Sequence, residues 1–310
     1  MITPSLPLPP LQPLRLPWLV AAGVEVAVLR LDLIDPLVSG NKWFKLRPWL
    51  ELARQQGALG LISLGGPWSN HLHALAAAGQ RMGLQTVGLL RGEPQATATT
   101  EDLQAMGMTL HWLGYGGYRA RHQPGFWAPW QARYPGWLAL PEGGACERGV
   151  QGCTDLKALA LDQLATLGWD TFDGWWLAAG TGTTVAGLVR AEGGQRRVHG
   201  ALAVPPGQGA ERTVESLVGQ GGVEWHDASR GGFAKVDPVL LQFLHETEAY
   251  SGIPLEPVYT AKALLALQAK VAAGYFKAGT RLVFVHTGGL QGRRGFLSKP
   301  DTLKSHILGR

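Results

Sequence analysis

From residue 60 onward the chain alternates short apolar runs with longer segments of helical period. Residues 61–64, 86–90, 109–113 and 138–140 are compact apolar runs, partly β-branched, and read as strands. Between them, residues 70–81 and 100–106 carry a helical pattern, the second with Thr100 placed to cap it. Ahead of this series, residues 24–33 alternate like a strand and 43–55 read as a helix in spite of Pro48. A second series follows: a long helix over 151–167, a strand over 174–179, a helix over 184–192 and a strand over 198–204. Helices over 238–250 and 261–273 and an apolar strand over 281–286 complete it. Residues 115–137, rich in Trp and Tyr among scattered Gly and Pro, carry no clear period. Strands separated by helices build parallel sheets buried on both faces, and two such series predict two α/β domains. Ligands of such sheets sit beyond the carboxyl ends of the strands, so the loops after strands are where chemistry is expected.

Composition narrows the function classes. Hydrophobic residues make up 45% and charged residues 16% of the chain, which excludes disorder as its main state. Glycine is abundant, 43 of 310 residues, without a collagen period, so the excess belongs at tight turns and close backbone approaches. The net charge of +5 is spread along the chain with no basic arm, which argues against a nucleic-acid partner and is met equally well by one small anionic ligand. The two cysteines, Cys146 and Cys153, fit neither a disulfide framework nor a zinc spacing and read as reduced thiols of a cytoplasmic protein. Residues 1–20 are proline-rich and do not read as a signal peptide, and no apolar run is long enough for a membrane span.

Four strand-end loops carry candidate chemistry. The first, Ser39-Gly40-Asn41-Lys42-Trp43-Phe44-Lys45, places two of nine lysines three residues apart at a helix start, where the helix dipole disfavours cations. It is either a solvated helix start or a nucleophilic lysine with a second cation for an anion. The second, Gly65-Gly66-Pro67-Trp68-Ser69-Asn70-His71, either caps a helix or holds a carboxylate with free N–H groups. The third, Gly180-Thr181-Gly182-Thr183-Thr184, combines curled backbone, hydroxyls and a helix start as a phosphate cup would, yet lacks the lysine of a nucleotide-binding P-loop. The fourth pair, Val258-Tyr259-Thr260 and His286-Thr287-Gly288-Gly289, sets hydroxyls just past apolar segments. His71 and His73 point to different helix faces and do not form a metal pair, and no catalytic Ser-His-Asp spacing is present.

Five segments in order, SGNKWFKL at 39–46, GGPWSNHLHALAAAG at 65–79, AAGTGTTVAGL at 178–188, PVYTAKAL at 257–264 and VFVHTGG at 283–289, resemble the 1-aminocyclopropane-1-carboxylate (ACC) deaminase and D-cysteine desulfhydrase family of pyridoxal-phosphate (PLP) enzymes. The resemblance implies an α/β fold of two domains with open, twisted parallel sheets, like the tryptophan synthase β-subunit (fold type II). It implies a large PLP-binding domain from residues 1–50 and 150–310, a small α/β domain from 51–149, and a homodimer. By the same resemblance Lys42 carries the cofactor, and Lys45 with Gly180, Thr181, Gly182, Thr183 and Thr184 binds its phosphate. Asn70 lies near its ring hydroxyl, Tyr259 beside the ring, and Thr260 and Thr287 near the pyridine nitrogen. Ser69, Asn70 and His71 meet the substrate carboxylate, with Ser69 and Tyr259 joining Lys42 in catalysis.

The two family activities differ at the last pair. The deaminases carry Glu where this chain has Thr260 and Leu where it has Thr287, and a carboxylate keeps the pyridine nitrogen protonated for ring opening. Two threonines suit α,β-elimination, so the resemblance implies a desulfhydrase-like enzyme that converts a small substrate, D-cysteine, to pyruvate, sulfide and ammonia. ACC deamination, elimination or racemisation of another amino acid, and a PLP-binding protein with little catalysis are the alternatives. Phe233, where the family has a Gly-Tyr-Gly-like segment, removes a hydroxyl from the expected substrate pocket, and Phe44 and Arg47 also depart from the lysine-turn motif.

Overall fold

The structure, a computed structural model, describes residues 7–297, so the first six residues of the proline-rich lead and the final thirteen lie outside it. Among the described residues ten strands form two sheets: β1 (Leu11–Leu14), β2 (Glu25–Arg30), β3 (Gly60–Gly65), β4 (Gln85–Leu90), β5 (Thr109–Trp112), β6 (Trp137–Ala139), β7 (Gly174–Ala179), β8 (Arg197–Leu202), β9 (Val223–Asp227) and β10 (Arg281–His286). The six-stranded sheet runs in the order β1-β2-β10-β7-β8-β9 and the four-stranded sheet in the order β5-β4-β3-β6. All neighbours are parallel except β1, which pairs antiparallel with β2 at the sheet edge.

The apolar runs predict the central strands well because both of their faces are buried. Adjacent residues such as Trp175 and Trp176, or Val283 and Phe284, enter opposite hydrophobic clusters, as a parallel sheet covered by helices requires. One cluster continues from the large sheet through Leu46 and Leu50 to Leu61 and Leu72, so a shared core joins the two sheets.

Several elements differ from the sequence reading. The helix expected over 151–167 is two helices, Glu147–Cys153 and Asp155–Leu161, followed by a 3-10 turn at Leu164–Leu167. The Thr154 hydroxyl donates to the Gln151 carbonyl at 2.6 Å and the backbone tightens there. Thr100 is not the cap of its helix. Thr97 is, and Thr100 closes the reciprocal capping box at the third position, with bonds of 3.0 and 2.8 Å. The aromatic stretch contains two short helices, Gly114–Arg119 and Ala128–Arg133. β1, β9 and the helices Pro17–Ala22 and Ala210–Val218 are additions.

Pro48 lies inside the helix Asn41–Gln56. It removes the N–H that would bond the Phe44 carbonyl. That carbonyl instead receives the helix Glu147–Cys153 at Gly152, where a Cβ would lie 1.8 Å from the Phe44 oxygen. The proline thus frees a carbonyl face for close helix packing rather than breaking the helix.

Candidate active site

The carboxyl ends of β2, β3, β7 and β10 converge on one cavity of about 650 Å³, within the range of small-molecule sites. The loops after these strands line it: Asn41, Lys42 and Lys45 after β2, Gly66 to His71 after β3, Gly180 to Gly182 with Thr184 after β7, and Thr287 to Gly289 after β10, with other segments completing the wall.

The lysine turn is fixed by backbone contact. Gly40 has φ 72° and ψ −156°, a region open essentially to glycine. A Cβ on it would lie 2.0 Å from the Thr287 oxygen, which also accepts the Asn41 N–H at 3.2 Å. Asn41 Nδ2 then donates to Thr184 Oγ1 at 2.8 Å, tying the turn to the third loop.

Lys42 and Lys45 stand on successive turns of the helix start, and Lys45 is 2% exposed. Burial pushes the Lys42 ammonium well below the usual lysine value, and the Lys45 charge adds to the effect. Burial lowers Lys45 too. Among the described residues no hydrogen bond or ion pair holds either amine. A buried amine, Lys45, and a half-buried one, Lys42, both unpaired, are costly unless a ligand answers them. His71 faces the same problem: its Nε2 meets Ser63 Oγ at 2.9 Å, while Nδ1 is buried without a partner. Burial, and then the two lysine charges, drive its pKa well down, so the ring is neutral.

The third loop begins the helix Thr183–Glu192, and no side chain caps it. Its first N–H groups are therefore free for an anion. Gly182 sits at φ 82°, and Gly180 faces Tyr259, whose Cε1 would lie 3.0 Å from a Cβ there. Thr181 and Thr183 hydroxyls are 3.0 Å apart. A phosphate-bearing aldehyde fits this donor set: a hydroxyl-rich helix start for the phosphate, Lys45 as a nearby cation, and the Lys42 amine, its pKa lowered, for the carbonyl.

Of the residues expected from sequence, Lys42, Lys45, Ser69, Asn70, His71, Gly180, Thr181, Gly182, Thr184, Phe233, Tyr259 and Thr287 all line the cavity. Thr183 and Thr260 do not. The Thr260 hydroxyl is occupied by the Glu256 backbone, accepting its N–H at 2.8 Å and donating to its carbonyl at 3.2 Å. Ser69 Oγ accepts the Leu72 N–H at 3.2 Å as a helix cap, which leaves its own proton to donate. Asn70 Oδ1 accepts from Gln291 at 2.8 Å. The Phe233 and Tyr259 rings are 6.0 Å apart at the mouth, and burial raises the Tyr259 hydroxyl pKa.

The structure adds residues the sequence reading did not find. Glu256 lines the cavity, 1% exposed, and accepts N–H groups from Val258, Tyr259 and Thr260 at 2.8, 2.6 and 2.6 Å. Burial nevertheless raises its pKa to about 7. Its sequence signal is slight, a carboxylate before a proline. The unassigned aromatic stretch supplies a rim of Tyr115, Tyr118, Arg119 and Arg121. There Glu142 accepts Tyr118 Oη at 2.6 Å and Arg121 Nε at 2.7 Å.

The chain is similar to known proteins. A family model described as pyridoxal-phosphate dependent enzyme matches residues 4–288. An ACC deaminase of Burkholderia ambifaria is 26% identical over 91% of this chain and 91% of its own length. A bifunctional D-cysteine desulfhydrase/ACC deaminase of Arabidopsis thaliana, mitochondrial, is 25% identical over 87% of this chain and 73% of its own. The crystal structure of an ACC deaminase homologue superposes with a TM-score of 0.77 at 27% identity, covering 93% of this chain and 91% of that one. No helix among the described residues is long and apolar enough to cross a membrane.

Proposed function

We propose that this chain, which belongs to the family of pyridoxal-phosphate-dependent enzymes, eliminates a β-sulfur group from a D-amino acid, releasing pyruvate, ammonia and sulfide. The observation that supports the reading is that Thr287, whose carbonyl oxygen meets the lysine turn, lines the cavity, while the Thr260 hydroxyl is turned into the backbone. A neutral hydroxyl in that wall, where it would meet the pyridine nitrogen of bound cofactor, would suit loss of a Cα proton and a good leaving group. When bound, the cofactor supplies the electron sink that stabilises charge at Cα.

The chain's own groups supply the rest. The Lys42 amine, its proton affinity lowered by burial and by Lys45, is placed to receive the Cα proton at Nζ. The free first-turn N–H groups of Asn70 and His71, at the start of the helix Asn70–Met82, suit the substrate carboxylate. Ser69 retains a hydroxyl proton to donate to the same group. Tyr259, held protonated by burial, is a donor for the departing sulfur. Arg91 and Arg119 at the rim favour approach of the substrate by its carboxylate end.

A second reading rests on Glu256. A buried carboxylate that lines the cavity is a candidate for the acidic partner that ring opening of ACC demands. The two activities, both present in relatives' names, separate in one assay. Sulfide and pyruvate from D-cysteine with no ammonia from ACC support the elimination reading. Ammonia from ACC with an inert D-cysteine overturns it in favour of the deaminase.

A further inference from the structure

Far from the cavity, the start of the large sheet gathers a second set of chemically able side chains. β8 and β9 pair in parallel with His199 opposite Glu224 and Ala201 opposite His226. Glu224 and His226, two apart on one strand, share a face, and the register brings His199 onto it. His199 Nδ1 lies 3.1 Å from His226 Nε2 and 3.6 Å from Glu224 Oε2. One donor atom from each of the three falls within 4.8 Å of the others. None of the three lines the cofactor cavity.

We propose that His199, Glu224 and His226 form a binding site for a divalent transition-metal ion of the zinc type. Two imidazoles and one carboxylate are a common borderline-soft donor set. Separations of 3.1 and 3.6 Å are those expected for donors sharing one ion at ~2.0–2.2 Å. A neutral imidazole carries one N–H, and the short nitrogen–nitrogen contact uses it. An ion entering between the rings moves that proton to the far nitrogen of the same ring, so both lone pairs face the metal and no net proton is lost.

The surroundings prepare the ligands. His199 and His226 are 3% and 4% exposed, and burial keeps both neutral, the form that coordinates. Trp176 stacks on both rings, with centroids 5.5 and 4.5 Å away, and fixes their planes. Tyr275 donates to Glu224 Oε1, which aims Oε2 at His199. The Glu224 side chain is 32% exposed and opens the site to solvent. Arg197 competes for Oε2 at 3.4 Å, but its side chain is 79% exposed and free to swing away. Lys270, above the Tyr275 ring at 5.2 Å, is the other nearby cation.

The test is equilibrium dialysis of the untagged, cofactor-loaded protein against zinc chloride after chelator treatment, with bound zinc measured by mass spectrometry. One zinc per chain is expected, with affinity at least tenfold weaker in H199Q, H226Q and E224Q and unchanged in H245Q, an exposed histidine elsewhere. Glu224→Gln keeps an acceptor for Tyr275 and guards against loss of the fold. Zinc should also raise the thermal midpoint of the wild type and not of the variants, and magnesium chloride should not bind. Absence of stoichiometric zinc, or zinc held equally by the wild type and all three variants, overturns the site.

Discussion

Replacing Gly40 by Ala tests how the lysine turn is built. The residue occupies φ 72° and ψ −156°, which costs a side-chain-bearing residue about 1–3 kcal/mol. The added Cβ would also lie 2.0 Å from the Thr287 carbonyl oxygen. That contact is backbone against backbone, so no rotamer relieves it. The turn must retreat and give up the 3.2 Å bond from the Asn41 N–H to the same oxygen, a further loss of about 1 kcal/mol. Together the effects predict a destabilisation of about 3 kcal/mol or more. Because Lys42 is two residues on, cofactor affinity should fall at least about tenfold, or about 1.4 kcal/mol. Gly57, which ends the same helix at φ 61° with nothing within 4 Å of a Cβ, is the control. Gly57→Ala should cost about 1 kcal/mol and leave cofactor binding alone. Urea unfolding gives the stabilities and a fluorescence titration with PLP gives the affinities. A G40A protein as stable as G57A, with wild-type cofactor affinity, would refute the reasoning.

Other substitutions probe the remaining contacts. Thr184→Val removes the acceptor of the buried Asn41 amide and should cost about 1–3 kcal/mol in urea, with weaker PLP binding; an unchanged midpoint and affinity would contradict the coupling of turn and cup. Tyr259→Phe should lower kcat by about 10²-fold or more with little change in KM for the true substrate, whereas an effect confined to KM would make Tyr259 a binding residue only. Glu256 titrates at about 7 in the fold against 4.5 when free, so the native state keeps a proton that the unfolded chain has lost between these values. Its contribution is therefore complete below about 4.5 and disappears as pH rises through about 7, a fall of about 3 kcal/mol. Glu256→Gln should flatten that slope in unfolding measured at several pH values, and equal slopes would show that the carboxylate stays ionised.

The parts of this fold legible in sequence are those where one signal dominates. The runs 174–179 and 281–286 are apolar because both sheet faces are covered, and both are strands at those limits. The edge strand β1 escapes because Pro13 lies within it; an edge position tolerates the missing donor. The rim residues Tyr118 and Arg121 sit in a stretch whose order comes from tertiary contacts, notably with Glu142, and no local period announces them. At the site, the glycine–hydroxyl loops and the lysine pair are visible from spacing alone. Which threonine faces the cavity is not, because the Thr260 hydroxyl is claimed by the Glu256 backbone, a contact that a motif does not encode. Glu256 itself is hidden for the same reason, its carboxylate defined by three N–H groups of the turn that follows it.

The most direct measurement of the central claim is the visible absorption spectrum of wild-type and Lys42→Ala protein, before and after D-cysteine, with sulfide and pyruvate followed alongside. The wild type should show a visible cofactor band that changes on adding D-cysteine as both products appear, and Lys42→Ala should show neither band nor products. A Lys42→Ala protein that keeps the band and the turnover would contradict it.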